Sequence, residues 1–211
     1  YAGIEERISE NEAHSIKIIT REKSERIAES AFKYAKERNR KKVTVVSKAN
    51  IMKESDGLFL DAVRSVAKKY PSIIFDEILV DNCAMQMVMN PGQFDVIVTE
   101  NLYGDILSDL GAGLVGGLGL MPGVNKGEDI SIFESIHGSA PDIAGKNLAN
   151  PTAMILSACL MLDEIGEKQV AEKIRMAIYK TLSDKNNYTR DLGGEKTCSD
   201  YTQILIDNLG G

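Results

Sequence analysis

The 211 residues suffice for one large domain or two small ones, and 43% hydrophobic with 27% charged residues is the composition of an ordinary globular chain. A net charge of -6 without a dominant basic stripe excludes a nucleic-acid partner or an anionic membrane surface. Cys83, Cys159 and Cys198 are odd in number and form no C-x-x-C, which excludes a disulfide framework and fits a reducing compartment. No apolar run is long enough, and free enough of glycine, to span a bilayer, and no signal peptide is visible.

The first 19 residues are polar and irregular, and could form an arm or a hairpin. Thr20–Arg38 carries Ile27, Ala28, Ala31, Phe32 and Ala35 at helical spacing, with Thr20 as N-cap. The basic run Lys36–Lys42, interrupted by Glu37, reads as the solvated end of that helix. Val43–Ser47 is a β-branched strand. Leu58–Tyr70 is helical and is closed by Pro71. Ile73–Val80 is a strand, Cys83–Met89 a short helix, and Phe94–Thr99 a buried strand. Strand and helix alternate from residue 20 to 120, which predicts βαβ units and a mostly parallel α/β sheet. A long loop, Met121–Asn150, precedes helices at Thr152–Ile165, Lys168–Leu182 and Ser199–Asn208. The divisions predicted are a substrate and dimerisation domain, 1–115, with an arm near 5–20, and the remainder of a cofactor domain, 116–211.

Asp105 and Asp109 lie four apart, so a helix puts both carboxylates on one face. Like charges at that spacing weaken a helix by about 0.2–0.5 kcal/mol. A cation between them would relieve this, and hard oxygen donors suit Mg²⁺ or Mn²⁺ better than zinc. The alternative is a solvated helix face. In open α/β sheets ligands bind beyond the carboxyl ends of the strands. Those ends deliver Lys48 and Asn50, then Asp81 and Asn82, then Asn101–Asp109. One lysine and three aspartates therefore converge on one rim, a place for a divalent cation and an anionic substrate. Taken singly, Asp81 reads equally as the N-cap of the helix near Cys83, and Lys48 as a solvated lysine.

Gly111-Ala-Gly-Leu-Val-Gly116 matches G-x-G-x-x-G but follows a helical segment instead of a strand, so it is not a dinucleotide fingerprint. Its glycines serve close packing or a turn. The polar loop His137–Lys146, ending at Asn150-Pro-Thr152, is long enough to be functional. It reads as a nucleotide cradle or as a surface Ω-loop.

Together these motifs resemble the β-decarboxylating dehydrogenases, which act on isocitrate, homoisocitrate, 3-isopropylmalate or tartrate. The resemblance runs from Tyr1 to about Ile206. It rests on Tyr1-Ala-Gly-Ile-Glu5, Lys48-Ala-Asn-Ile-Met52, Val80-Asp-Asn82, Asn101-Leu-Tyr-Gly-Asp-Ile-Leu-Ser-Asp109, His137-Gly-Ser-Ala-Pro-Asp-Ile143 and Asn150-Pro-Thr-Ala153. It implies an isopropylmalate/isocitrate dehydrogenase-like fold whose N-terminal strands, with the arginines that clamp the substrate carboxylates, are absent from this chain. It implies Asp105 and Asp109 as ligands of Mg²⁺ or Mn²⁺, with Asp81 completing the metal site across a dimer interface and Lys48 likewise reaching the partner's substrate. Tyr1 and Lys48 are the implied catalytic residues, and Tyr1, Lys48, Asn50 and Asp81 the substrate contacts. His137, Gly138, Ser139, Ala140, Pro141, Asp142, Ile143 and Asn150 are the implied cofactor contacts. NADP-preferring relatives carry Lys-Tyr where this chain has Asp142-Ile143, so the implied cofactor is NAD.

The implied reaction is oxidative decarboxylation of a 2-hydroxy-3-carboxy acid. Isocitrate leads, on the Tyr-Ala-Gly-Ile-Glu motif. Homoisocitrate and 3-isopropylmalate are the alternatives, and a non-catalytic regulatory subunit or inactive fragment is the alternative of another class. The implied partners are a tricarboxylic or dicarboxylic hydroxy acid and a further copy of the chain in a homo-oligomer, at least a dimer, with Ile8–Ile19 in the interlocking arm. No nucleic acid or membrane is expected. The implied location is the cytoplasm, or the mitochondrial matrix in a eukaryote.

Overall fold

The run Val43-Thr-Val-Val46 is buried on both sides, so its strand can only be central. In the computed structural model, which describes residues 4–210, β3 (Lys42–Ser47) pairs in parallel with β4 (Ile74–Leu79) on one side and β5 (Val96–Thr99) on the other. Side chains alternate across a strand. Val43 and Val45 meet Ala28, Phe32 and Ala35 of α1 (Arg21–Glu37) and Phe59, Val63 and Val66 of α2 (Ser55–Ala67). Val46 meets Cys83 of α3 (Val80–Met89) and Leu107 of α4 (Asn101–Val115) on the opposite face. Burying each such side chain contributes about 1.5–3 kcal/mol. The two covered faces explain why β3 reads as a continuous apolar run, as parallel strands do.

Thr20 caps α1 as expected, its side chain accepting from the Lys23 amide at 3.4 Å. The opening segment is an antiparallel hairpin, β1 (Ile4–Ser9) with β2 (Glu12–Ile16), and all its strand residues are exposed. Several boundaries differ from those expected. α2 starts at Ser55, three residues before the expected Leu58, and ends at Ala67, ahead of Pro71. β4 stops at Leu79, and α3 begins at once, at Val80.

The chain divides into two units, Tyr1–Leu110 and Gly111–Gly211. In the second, 121–150 is not the long loop expected. It holds an antiparallel pair, β6 (Pro122–Lys126) and β7 (Ser131–Ser135). Both strands pack on α5 (Thr152–Glu164), where the Ser157 hydroxyl donates to the Glu134 carbonyl at 2.8 Å and accepts from the Gly123 amide at 3.2 Å. α5, α6 (Lys168–Leu182) and α7 (Cys198–Leu209) enclose Ala177, Ile178, Tyr201 and Leu205.

Gly111 and Gly113 lie inside α4, and a Cβ at Gly113 would meet open space, so it serves no close packing. The turn is made afterwards, at Gly116 and Gly117, with φ of 117° and 115°. Among the described residues no helix is long and apolar enough to cross a membrane, and no cysteine is paired.

Candidate active site

Lys48 follows the last residue of β3, and Asp81 sits in the first turn of α3, directly after β4. Parallel pairing puts both at the same edge of the sheet, and Lys48 Nζ lies 2.7 Å from Asp81 Oδ1. The Lys48 ammonium, helped by the amides of the α3 N-terminus, holds the Asp81 carboxyl below the usual carboxylate range. Asp81 is therefore not an N-cap. Leu79 holds that position, and no side chain caps α3. Asn50 is exposed in the turn after Lys48.

Asp105 and Asp109 occupy successive turns of α4, both exposed. Their carboxylates present hard oxygen donors to solvent, as a partial Mg²⁺ or Mn²⁺ site would. Among the described residues, however, no three His, Cys, Asp or Glu side chains gather into a metal-holding group. Lys48, Asp81 and the start of α4 share the carboxyl edge of the sheet, but the three aspartates do not close into one metal-holding group within the chain. Asp81 is turned to Lys48 instead. Tyr1 lies outside the described residues.

Beneath this edge is a buried polar cluster that the sequence did not announce. Asp56 is fully buried in the first turn of α2. Its Oδ2 accepts from the Lys48 amide at 2.7 Å and from the Tyr103 hydroxyl at 3.1 Å, and its Oδ1 pairs with the Lys17 ammonium. Lys17 also forms an ion pair with the buried Glu100 carboxylate. Two carboxyls thus share one ammonium, so full ionisation would leave a buried negative charge uncompensated. Burial would push the Asp56 carboxyl up, but Lys17 and the Lys48 amide outweigh it and hold Asp56 low. For Glu100 burial wins over Lys17, and the neighbouring Asp56 charge adds to it, so its carboxyl is pushed up.

In the second unit, a cleft of about 700 Å³ is lined by His137, Gly138, Ser139, Ala140, Ile143 and Asn150 among others, a volume within the range of cofactor sites. Pro141 and Asp142 lie in an exposed 3₁₀ turn, outside the lining. Ala140 has φ 42°, a left-handed conformation that a non-glycine residue adopts only where its surroundings hold it. The Asn147 carbonyl and side chain bind the amides of Cys198 and Ser199, pinning the loop to the start of α7.

Sequence reasoning missed Asp191. It lines the same cleft, accepts from Asn150 Nδ2 at 3.0 Å, and is itself fixed by the Thr189 hydroxyl at 2.6 Å. Gly119 must stay small, because a Cβ there would lie 2.7 Å from Asp191 Oδ2. The cleft is lined by a carboxylate and an amide that hold each other, Asp191 and Asn150, beside Gly119.

The Isocitrate/isopropylmalate dehydrogenase family model matches residues 1–205. The chain belongs to that family. Over 209 residues it is 56% identical to a Drosophila melanogaster protein named as the alpha chain of a probable mitochondrial isocitrate dehydrogenase (NAD), covering 99% of this chain and 55% of that protein. It is 54% identical to a Dictyostelium discoideum protein named as a regulatory chain of mitochondrial isocitrate dehydrogenase (NAD), covering 99% of this chain and 59% of that protein. The chain spans somewhat over half the length of these curated relatives. The crystal structure of isocitrate dehydrogenase from Methylococcus capsulatus superposes with a TM-score of 0.94 at 50% identity, over 100% of this chain and 64% of that one. The expected isocitrate dehydrogenase-like α/β fold is borne out.

The opposed shifts of Asp56 and Glu100 give a pH signature. Glu100 has a folded pKa above its unfolded value, so its contribution is fully present below the unfolded value and is lost as pH rises through the folded one. Asp56 has the reverse sign, and its contribution is lost as pH falls through its depressed folded value. Glu100→Gln removes only the first titration. Urea midpoints between about pH 4 and 8 are expected to rise, relative to the parent, as pH increases. Parallel profiles would show that Glu100 is ionised at no cost.

Proposed function

We propose that the complete polypeptide is an NAD-dependent isocitrate dehydrogenase requiring Mg²⁺ or Mn²⁺. The observation that carries the reading is the Lys48–Asp81 pair at the carboxyl edge of a parallel sheet, in a chain whose relatives are named NAD isocitrate dehydrogenases. Asp105 and Asp109 would hold the cation, with Asp81 contributed by a second copy of the chain. The residues 1–115 would form the substrate and dimerisation domain, and 116–211 part of the cofactor domain. The exposed β1–β2 hairpin supports at least a dimer, since a lone two-stranded hairpin is marginal in water. The mitochondrial names of the relatives support the matrix as the location if the source is eukaryotic.

A bound cation supplies Lewis acidity at the substrate hydroxyl and its neighbouring carboxylate, and bound NAD supplies the hydride acceptor. Lys48 presents its ammonium at the strand end, from which it would orient the second copy's substrate and relay the hydroxyl proton. Asp81 keeps that ammonium in place through the 2.7 Å contact. Tyr1 returns a proton to carbon after CO₂ has left. Asn150 and Asp191 orient the adenosine half of the cofactor, and Asp142 at the loop surface would repel a 2′-phosphate and accept from a free ribose hydroxyl.

One relative is named as regulatory, so catalysis has to be measured. The complete polypeptide is expected to form NADH from isocitrate with Mg²⁺. Asp105→Asn, at an exposed position, should lower that rate at least about 100-fold with unchanged far-UV circular dichroism. A fully active variant would remove Asp105 from the metal site, and a parent inactive with intact fold would favour the regulatory reading.

The cleft has its own test. Asp191→Ala frees Asn150 and is expected to raise the KM for NAD about ten-fold, or 1.4 kcal/mol, leaving the KM for isocitrate unchanged. An unchanged KM for NAD would detach this cleft from the cofactor.

A further inference from the structure

The contacts of Asp56 form a closed circuit around the residues from 48 to 56. The Lys48 carbonyl accepts from the amides of Ile51 and Met52, each at 2.9 Å, and the Met52 carbonyl accepts from the Asp56 amide at 3.0 Å. Asp56 Oδ2 then returns to the Lys48 amide at 2.7 Å. The turn that aims the Lys48 side chain is thus tied at both ends to one carboxylate. The same oxygen holds the hydroxyl of Tyr103, a buried residue in the first turn of α4, two positions before Asp105. The other oxygen holds Lys17, the residue that follows β2, and Lys17 Nζ also lies 4.8 Å from the centre of the Tyr103 ring.

We propose that Asp56 is a positioning residue, fixing the backbone of Lys48, whose side chain would serve the second copy's substrate, relative to the first turn of α4, which carries this copy's Asp105, and tying both to the root of the β1–β2 hairpin. This rests on the dehydrogenase reading above for the identity of the groups positioned. A carboxylate is suited to the task because it can accept from a backbone amide, a phenol and an ammonium together, whereas a hydroxyl or an amide side chain cannot accept from all three. A fully buried carboxylate with three partners from separate elements has a single arrangement that satisfies it. Misplacing a catalytic group by about 1 Å can cost about 100-fold in rate, so a fixed turn at Lys48 bears directly on turnover. The link to Lys17 means that whatever orders the hairpin also orders the lysine's turn.

Hydrogen exchange and steady-state kinetics on the complete polypeptide test this together. Asp56→Ala should speed exchange of the Lys48 amide by about ten-fold or more while the Val43–Val46 amides of β3 stay protected. It should lower kcat about ten-fold with the KM for isocitrate held within about two-fold, the mark of a loss confined to the transition state. Asp56→Asn keeps an acceptor oxygen for Lys48 and Tyr103 but turns an NH₂ toward Lys17. It should restore most of kcat through the Lys48 and Tyr103 contacts it keeps, which a role limited to charge would not allow. A folded Asp56→Ala with the Lys48 amide as protected as in the parent, or with its loss carried by KM, overturns the proposal. Should Asp56→Ala not fold, Tyr103→Phe decides. It should speed exchange of the Gly104 amide, which binds the Glu100 carbonyl at 2.8 Å, and no change there overturns the proposal. A parent that forms no NADH sinks the dehydrogenase reading alone, because the exchange data still decide whether Asp56 positions this edge.

Discussion

One buried carboxylate ties together the elements that meet at the carboxyl edge of the parallel sheet. Asp56 has no exposure to solvent, and its partners come from the end of the hairpin, the end of the central strand and the start of α4. Removing such a group from water costs several kcal/mol unless every lone pair is used. The cluster meets that demand for Asp56 and leaves it partly unmet for Glu100, whose carboxyl is pushed toward its neutral form. Satisfied and unsatisfied groups thus lie side by side, as is common where structure serves chemistry at the expense of stability.

The sheet sets where that chemistry can occur. Because β3, β4 and β5 run in parallel, their carboxyl ends share one edge, and Lys48, Asp81 and α4 all begin there. Asp81 faces Lys48 across 2.7 Å, and no three-carboxylate group forms among the described residues. A site completed only when a second copy supplies Asp81 agrees with both observations. The hairpin exposes apolar residues such as Ile4 and Ile16, at 58% and 56%.

Much of this was legible in the amino-acid order, and the failures are informative. Val43–Ser47 announced a buried strand because its β-branched residues leave few alternatives, whereas the strand expected at Phe94–Thr99 spans only Val96–Thr99, with Val98 its one buried residue. Lys168–Leu182 was read to the residue because its apolar stripe is regular. The pair β6–β7 was missed because Pro122-Gly-Val-Asn-Lys126 carries turn formers within a strand. α2 began earlier than expected because Ser55-Asp-Gly57 looks like a turn. Asp56 falls outside the expected helix for the same reason. Its partners lie 39, 8 and 47 residues away, and nothing local signals them. Asp191 was hidden likewise, 41 residues from Asn150. Motifs reveal groups that touch ligands, whereas groups that hold those residues in place emerge only once the chain has folded.

A double-mutant cycle between Lys17 and Asp56 tests the central claim most directly. Stability would be measured by urea unfolding for Lys17→Met, Asp56→Asn and the pair. If the cluster ties the hairpin root to the catalytic edge, the two effects are coupled by about 1–3 kcal/mol, as for residues in direct contact. Effects that add to within about 0.3 kcal/mol would show two independent groups and contradict the account.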